Sequence, residues 1–400
     1  MEHQLNPPQA CAALSEARFL RVLAGAGSGK TRVLVHRIAN LIQTRQASPY
    51  GLLAVTFTNK AATQMRERVE QMCNISTKGM WVGTFHGLSH RLLRIHSKDA
   101  NLDERFQIID SDDQLRLVKR VYKALQIHES DFTAKQAVSF INREKDEGRY
   151  PTDVALMPDR QTQLLQQVYW RYQALCQQSQ LVDFAELLLR SLQLLEGQAR
   201  IAKIYHDKFR HILVDEFQDT NALQFRWLQA LLGSSTCLTI VGDDDQSIYG
   251  WRGAQIENIL RFNDFYPGTE TVRLEQNYRS SATILQAANG VISNNQDRLG
   301  KSLWMEDESG EPILVYSAYN EMDEAKFVVE HILKMRDQGI SPRQQAILYR
   351  SNAQSRALEE ILIQCRVPYK IYGGLRFFDR AEIRNAMAYL RLLAQTEDDA

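Results

Sequence analysis

A glycine-rich segment near the start of the chain has the residue types and the spacing that hold the phosphates of a nucleotide. The segment reads Ala24-Gly25-Ala26-Gly27-Ser28-Gly29-Lys30-Thr31. It follows a short apolar run and opens a helix pattern, so its backbone N–H groups are expected to surround phosphate oxygens at a helix N-terminus. Lys30 is expected to reach the β- and γ-phosphates, and Thr31 is expected to ligate Mg²⁺. Ala24 stands where the general pattern has glycine, a position that needs only a small residue.

An acidic pair follows another apolar run much further along the chain. Asp215 and Glu216 come directly after His211-Ile212-Leu213-Val214. At the carboxyl end of a strand, Asp215 would hold Mg²⁺, and Glu216 would activate the attacking water as a general base. Paired acids also follow strands by chance, but the phosphate-binding loop upstream favours the catalytic interpretation. The acidic run Asp243-Asp244-Asp245 is a weaker metal candidate than Asp215 with Thr31.

A third segment, residues 242–254, combines polar and aromatic side chains directly after an apolar run. Gln246 could sense a γ-phosphate from the edge of the sheet. Tyr249 and Trp251 offer flat faces on which nucleic-acid bases stack, and Arg252 adds a positive charge. The alternative is that both aromatic residues belong to the core, but the surrounding glycines, acids and arginine make a packed core less natural.

These three segments are expected to lie at one edge of a parallel sheet. Four short apolar runs have the composition of buried strands, at 19–24, 52–57, 211–214 and 237–241. Helix patterns lie between them, at 30–43, 59–72 and about 221–232. Apolar strands that alternate with helices indicate an α/β fold with a parallel, doubly wound sheet.

Two further regions differ from this pattern. Residues 86–210 are nearly all helical in periodicity, with Asp183 as a candidate N-cap, and we expect them to form an inserted all-helical domain. A second α/β unit is expected from about residue 276, with strands at 312–316 and 345–349. It would reach the glycine pair at 373–374, which suits a hinge.

The composition is that of an ordinary globular chain, with 44% hydrophobic and 24% charged residues. Lys plus Arg and Asp plus Glu both number 48, so the net charge is zero and does not favour a protein that holds nucleic acid by bulk charge. No run of about 18 apolar residues predicts a membrane span, and no signal peptide is read at the N-terminus. The five cysteines form no CxxC pair, which argues against a zinc site or a disulfide framework and fits a cytoplasmic protein.

The sequence resembles the UvrD/Rep family of superfamily 1 DNA helicases from about Leu5 to its end, because several motifs occur in the family's order. The further matching segments are Leu5-Asn6-Pro7-Pro8-Gln9, Thr56-Phe57-Thr58-Asn59-Lys60-Ala61-Ala62, Gly83-Thr84-Phe85-His86-Gly87-Leu88, Leu274-Glu275-Gln276-Asn277-Tyr278-Arg279-Ser280 and Tyr349-Arg350-Ser351-Asn352. The resemblance implies RecA-like motor domains.

The resemblance also implies roles for single residues. Gln9 would read the adenine, Tyr278 would stack on it, and Arg279 would act as an arginine finger on the γ-phosphate. Arg32, directly after the phosphate-binding loop, is expected to join the nucleotide contacts. The expected DNA contacts are Thr58, Asn59, Lys60, Phe85 and His86, with Tyr249, Trp251 and Arg252. Taken singly, Arg279 could be a surface ion-pair partner, His86 a structural histidine and Lys60 a solvated charge.

In domain terms, the resemblance places the first motor domain at 1–84 and 210–275 and the helical insertion at 85–209. The second motor domain would occupy 276–372, and a second insertion would begin at 373–400. The implied activity is ATP- and Mg²⁺-dependent 3′→5′ movement on single-stranded DNA, with unwinding of 3′-tailed duplex DNA in repair or replication. DNA-repair proteins are expected partners, and no membrane is expected. Polarity, substrate and pathway come only from the resemblance.

Two alternatives remain at this stage. A nucleotide kinase or GTPase would share the phosphate-binding loop, but Asn59-Lys60-Ala61-Ala62 lacks the aspartate of a guanine-reading motif. The second alternative is a fragment that binds nucleotide, DNA or a repair partner without turnover. Since the second motor domain is expected to be incomplete, we expect the 400-residue chain alone to bind ATP weakly, to show little DNA-stimulated turnover and to separate no strands.

Overall fold

A computed structural model describes residues 5–128, 132–154, 159–296, 298–306, 310–372, 386, 387 and 389 of the chain. By its internal contacts the chain divides into two units, Met1–Glu311 and Pro312–Ala400. No helix among the described residues is both long and apolar enough to span a membrane.

The first unit is built on a six-stranded parallel sheet with the strand order β3-β2-β6-β7-β1-β8. Two short strands, β4 and β5, pair separately. The strands are β1 Phe19–Ala24, β2 Leu52–Thr56, β3 Trp81–Thr84, β4 Gln107–Ile108, β5 Leu181–Val182, β6 His211–Val214, β7 Cys237–Gly242 and β8 Glu270–Leu274. The predicted α/β fold with a parallel sheet is confirmed.

Helices cover the sheet and form the region between β3 and β6. Within the described residues the α-helices are α1 Pro7–Leu14, α2 Lys30–Gln43, α3 Asn59–Cys73, α4 Phe85–Ile95, α5 Ser111–Leu125, α6 Ala134–Asp146, α7 Arg160–Gln178, α8 Phe184–Gly197, α9 Ala199–Lys208, α10 Ala222–Ala230, α11 Glu257–Leu260, α12 Phe262–Phe265, α13 Ala282–Ile292, α14 Glu321–Asp337 and α15 Ser355–Gln364. Every residue of β2 is buried, as expected of a strand covered on both faces.

The register of the sheet brings the candidate segments together. Leu23 of β1 lies opposite Gly242 of β7, and Val55 of β2 lies opposite Val214 of β6. Parallel strands end at the same edge, so the loops that follow all four strands emerge side by side there. The loop after β1, the acidic pair after β6 and the segment after β7 therefore share one edge of the sheet.

The predicted helical region holds together around its own core and a buried ion cluster. Lys145 on α6 is fully buried, with Nζ 2.6 Å from the Asp183 carboxylate and 2.9 Å from that of Glu186. Asp183 caps α8, since its side chain accepts a hydrogen bond of 2.8 Å from the Glu186 N–H, as the sequence predicts. The assignment of 85–209 as a separate inserted domain stays a prediction.

The second unit differs from the sequence-based expectation. Neither 312–316 nor 345–349 forms a strand, so the prediction of two strands there is wrong for the described residues. Val315 is 84% and Leu348 94% exposed. An apolar run becomes a strand only where a neighbour satisfies its backbone groups, and these two runs do not pair with each other. The buried contacts of this unit join α14 and α15, around Ala325, Val329, Ile361 and Leu362.

The division between the units also falls later than the predicted start of the second motor domain at residue 276. Strand β8 and the residues after it, up to Glu311, belong to the first unit. The domain bounds 1–84, 85–209, 210–275 and 276–372 stay predictions. The predicted hinge glycines 373 and 374 lie outside the described residues, as does nearly all of 373–400.

Candidate nucleotide site and aromatic surface

The phosphate-binding loop lies between β1 and α2, in the context that the sequence predicts. Gly27 and Gly29 have φ angles of 70° and 88°, a left-handed backbone that favours glycine. Both also lie against neighbouring side chains. A Cβ on Gly29 would lie 2.8 Å from Gln9 Nε2, and a Cβ on Gly27 would lie 2.7 Å from the Cβ of Arg279. Backbone angle and close packing together require glycine at these positions.

Gln9 supports this loop from α1. Its Nε2 donates a hydrogen bond of 2.9 Å to the Ser28 carbonyl, and its Oε1 accepts one of 3.1 Å from the Asn6 N–H in a capping box. The Gln9 side chain is fully buried. Both ends of the amide are therefore engaged in positioning the loop, and its predicted role in reading an adenine stays untested.

The segment after β8 supports the loop from the other side. Asn277 Nδ2 donates to the Ala26 carbonyl at 2.6 Å, and the Tyr278 N–H donates to the Gly27 carbonyl at 3.0 Å. The carbonyls of the loop are thus occupied, whereas the first N–H groups of α2 have no partner within the helix. This arrangement leaves donors for an anion at the helix N-terminus. The Tyr278 ring is 53% exposed, and the Arg279 side chain is exposed next to Gly27.

Lys30, Thr31, Asp215 and Glu216 form the polar centre of the site. Lys30 Nζ lies 2.9 Å from Glu216 Oε2, and the Thr31 side chain hydrogen bonds to the Asp215 carboxylate. Burial raises the pKa of Asp215 to about 7, and the Glu216 charge adds to this shift while Lys30 opposes it. The raised pKa shows that nearby positive charge does not fully compensate the buried Asp215 carboxylate. Together with the Thr31 hydroxyl, this carboxylate provides oxygen ligands that suit a hard divalent cation.

Gln218 is a functional candidate that the sequence analysis missed. Its Nε2 donates to Glu216 Oε2 at 3.0 Å, and its Oε1 accepts from the Asp243 N–H at 2.9 Å. Glu216 itself adopts a left-handed backbone with φ of 50°, a conformation that costs free energy for a residue other than glycine. Gln218 therefore joins the acidic pair after β6 to the segment after β7.

The acidic run after β7 is not an open metal site. Asp243, Asp244 and Asp245 lie within 2.9 Å of Lys301 Nζ, which pairs with all three. Gln246 donates a hydrogen bond to the Asp243 carboxylate, and its expected contact with a γ-phosphate stays a prediction. Lys301 was not singled out in the sequence because it pairs with residues far away along the chain.

We use the name aromatic surface for the group formed by Phe57, which follows β2, and by Tyr249, Trp251 and Arg252 in the segment after β7. Phe57 and Tyr249 stack with ring centroids 5.1 Å apart. The Arg252 guanidinium lies 5.1 Å from the Tyr249 ring and 4.6 Å from the Trp251 ring. Trp251 is 76% exposed, which rules out the core interpretation for this residue and leaves a flat face available for stacking.

The residues predicted for DNA contact next to this surface differ in their exposure. Thr58, Asn59 and Lys60 are exposed at the start of α3, and the Thr58 hydroxyl also caps that helix by accepting from the Ala61 N–H at 3.1 Å. Phe85 is only 4% exposed, and its ring packs edge-on against Trp227 at 5.9 Å. Phe85 is therefore a core residue in this structure.

His86 lies beside a groove of about 580 Å³ that separates the sheet edge from the helical region. Its ring is partly exposed and edge-on to Phe184, and burial lowers the pKa of the imidazole. The other lining groups include the acids Asp110, Asp146, Asp183 and Asp219. The Arg252 guanidinium also lines this groove, so charges of both signs face it.

The parallel sheet, the phosphate-binding loop and the acidic pair after β6 define a P-loop nucleotide-binding protein. Residues 5–267 match the UvrD/REP helicase N-terminal domain, and residues 272–400 match the UvrD-like helicase C-terminal domain. The chain belongs to the UvrD/REP helicase family.

Similar proteins include DNA helicase II of Escherichia coli, 56% identical over 99% of this chain and 55% of the relative. DNA helicase II of Haemophilus influenzae is 54% identical over 95% of this chain and 52% of the relative. ATP-dependent DNA helicase PcrA of Staphylococcus aureus is 42% identical over 99% of this chain and 54% of the relative. The chain thus spans about half the length of the curated relatives it matches.

Proposed function

We propose that this chain carries the ATP-hydrolysing part of a DNA helicase that moves 3′→5′ along single-stranded DNA. One observation carries the proposal: the nucleotide site and the aromatic surface follow neighbouring strands and emerge at the same edge of one sheet. Short, rigid connections between the two sites suit an enzyme that converts nucleotide turnover into movement on a nucleic acid. The relatives are named as DNA helicases and as an ATP-dependent DNA helicase, which supports ATP and DNA as the substrates.

On the nucleotide side, the N–H groups of the loop and the Lys30 ammonium would bind the triphosphate. Lys30 is paired with Glu216 at 2.9 Å, so a phosphate that attracts Lys30 would release the Glu216 carboxylate. Glu216 would then accept the proton of the attacking water. Gln246, and Arg279 beside Gly27, would contact the γ-phosphate. Gln9, Arg32 and Tyr278 would complete the nucleotide contacts.

Thr31 and Asp215 are the residues that would hold a divalent cation, which we propose to be Mg²⁺. The metal would neutralise phosphate charge during hydrolysis. Asp215 would be fully ionised when it binds the cation, because the nearby positive charge offsets the burial that raises its pKa. The Thr31 side chain, already hydrogen bonded to Asp215, is placed to share the cation with it.

On the DNA side, bases would stack on Tyr249 and Trp251, with Arg252 providing positive charge. Lys60 and its neighbours at the start of α3 would contact phosphates, and His86 would face bases in the groove. The direction of movement, action on 3′-tailed duplex DNA, a role in repair or replication and contacts with repair proteins belong to the proposal as the family resemblance implies them.

The proposal is tested by steady-state ATP hydrolysis with Mg²⁺, in the presence and absence of oligo-dT. We expect a basal rate that EDTA abolishes and that oligo-dT increases only slightly in this 400-residue chain. The Lys30→Ala variant, purified in parallel, controls for contaminating ATPases. A wild-type rate no higher than that of Lys30→Ala, with or without DNA, would contradict the proposal and support a binding protein without turnover.

A further inference from the structure

Residues 298–304, which we call the strap, are anchored at one end by a buried ion cluster. Lys301 Nζ lies 2.7, 2.5 and 2.9 Å from carboxylate oxygens of Asp243, Asp244 and Asp245. Lys301 is only 8% exposed. Burial works against its charge, but the three carboxylates outweigh that effect and raise the pKa of the ammonium. The cluster is therefore a fixed, charge-assisted contact between the strap and the segment after β7.

Two neighbours of Lys301 reinforce this end of the strap. Arg298 forms a bidentate pair with Asp245, with Nη2 at 2.6 Å and Nε at 2.9 Å. The Leu299 N–H donates to Asp244 Oδ2 at 2.9 Å. Three successive attachment points hold the strap to the short turn that leads into Tyr249 and Trp251.

The other end of the strap pairs with the segment after β8 in strand-like fashion. The Trp304 N–H donates to the Glu275 carbonyl at 3.1 Å, and the Asn277 N–H donates to the Trp304 carbonyl at 2.7 Å. The Ser302 N–H adds a hydrogen bond of 2.9 Å to Glu275 Oε1. Asn277 in turn donates to the Ala26 carbonyl of the phosphate-binding loop, so this end is one residue away from the loop.

The strap also touches the loop directly. A Cβ on Gly25 would lie 2.2 Å from Leu303 Cδ2, which means that the Leu303 side chain packs on the bare backbone of this glycine. Any shift of the loop when it closes around phosphates would displace Leu303. Packed contacts of this kind transmit displacements because protein interiors have little free space.

We propose that Lys301 is a positioning residue that couples nucleotide binding at the phosphate-binding loop to single-strand binding at the aromatic surface. A movement of the phosphate-binding loop displaces Leu303, and the strap moves with it. Through its ion pairs Lys301 then shifts Asp243–Asp245, which directly precede Tyr249 in the segment after β7. The proposal rests on the proposed function, since it needs both ligands to bind.

The coupling is measured as the ratio of two dissociation constants for a labelled oligo-dT, with and without a saturating non-hydrolysable ATP analogue and Mg²⁺. For the wild-type chain we expect the ratio to differ from 1 by about fivefold or more. Lys301→Met should bring the ratio to within about twofold of 1, because the link between the two sites is cut. A purely structural lysine would change the melting temperature and leave the ratio as it is.

Two further variants guard against misfolding of Lys301→Met. Asp244→Asn combined with Lys301→Met removes one unpaired buried charge while keeping an acceptor for the Leu299 N–H, and Leu303→Ala cuts the strap at its other end. Both should also bring the ratio towards 1. The matched control is Arg226→Met, which removes a cation from the exposed pair with Glu196 and should keep the wild-type ratio.

The outcomes separate this inference from the proposed function. Folded Lys301 and Leu303 variants with the wild-type ratio would overturn the inference, as would a wild-type chain that binds both ligands with a ratio of 1. In both cases the proposed function stands. A wild-type chain that binds neither ligand contradicts the proposed function itself, and the coupling with it.

Discussion

Asp215 of the nucleotide site is buried and held by hydrogen bonds, whereas Trp251 of the aromatic surface projects from the same sheet edge into solvent. Asp215 is 6% exposed and Trp251 is 76% exposed. The buried groups of the nucleotide site are positioned by hydrogen bonds, as catalysis requires of charged groups. The aromatic surface offers flat faces that accept any base. Substitutions in the first region should therefore affect nucleotide binding and hydrolysis, and substitutions in the second should affect the affinity for single-stranded DNA.

The largest effect is expected from Lys30→Ala. The β- and γ-phosphates lose their charged partner, and ATP hydrolysis should fall to the background rate. The measurement is phosphate release at saturating ATP and Mg²⁺. The exposed Lys78→Ala on the same unit is the matched control and should keep the wild-type rate. Hydrolysis by Lys30→Ala at near the wild-type rate would remove the loop from the mechanism.

Glu216→Gln should lower turnover by about 10²-fold or more while ATP still binds, because the amide keeps the shape of the side chain but cannot accept a proton. Both quantities are measured on one preparation, turnover by phosphate release and binding with a fluorescent ATP analogue. Loss of binding together with hydrolysis would assign Glu216 to binding and not to proton transfer.

Asp215→Asn should stabilise the nucleotide-free protein in a pH-dependent manner. The pKa of Asp215 in the folded chain, about 7, lies above its ordinary value, so the fold destabilises the charged carboxylate. This cost is fully present above pH 7 and declines as the pH falls towards the ordinary value. We expect the variant to melt roughly 5 °C higher than wild type at pH 8, with a smaller difference at pH 5. Equal differences at both pH values would contradict the burial argument.

Trp251→Ala should weaken oligo-dT binding by about 1–3 kcal/mol and leave basal hydrolysis in place. Trp170→Ala is a matched control, since Trp170 is also exposed, at 52%, but lies on α7 in the helical region. The comparison is made by fluorescence anisotropy at one fixed salt concentration, because phosphate contacts depend strongly on salt. Equal losses in the two variants would show that exposure alone, and not position, explains the effect.

The residues that sequence alone located correctly are those whose spacing reflects local backbone chemistry. The loop from Ala24 to Thr31 and the acids after β6 occupy the predicted places because a strand, a tight turn and a helix dictate them. The solvent exposure of a side chain does not follow from local spacing. Phe85 and His86 are neighbours in one motif, yet Phe85 packs in the core because α4 turns it towards Trp227.

Contacts distant in sequence were also beyond prediction. Lys301 pairs with an acidic run 57 residues away, and Gln218 joins two loops by its amide. Nothing in the local pattern marks either residue. The strands predicted at 312–316 and 345–349 failed for a related reason, since an apolar run specifies a strand only together with a partner for its backbone.

The most direct test of the account measures the binding of both ligands, nucleotide and oligo-dT, to each of the variants Lys30→Ala and Trp251→Ala. For each variant, the dissociation constants of a fluorescent ATP analogue and of oligo-dT are measured separately under the same conditions. We expect Lys30→Ala to weaken the nucleotide and leave oligo-dT within about twofold of wild type, and Trp251→Ala to do the reverse. If one folded variant weakened both ligands equally when each is measured alone, the nucleotide site and the aromatic surface would not be separate sites, and the account would be wrong.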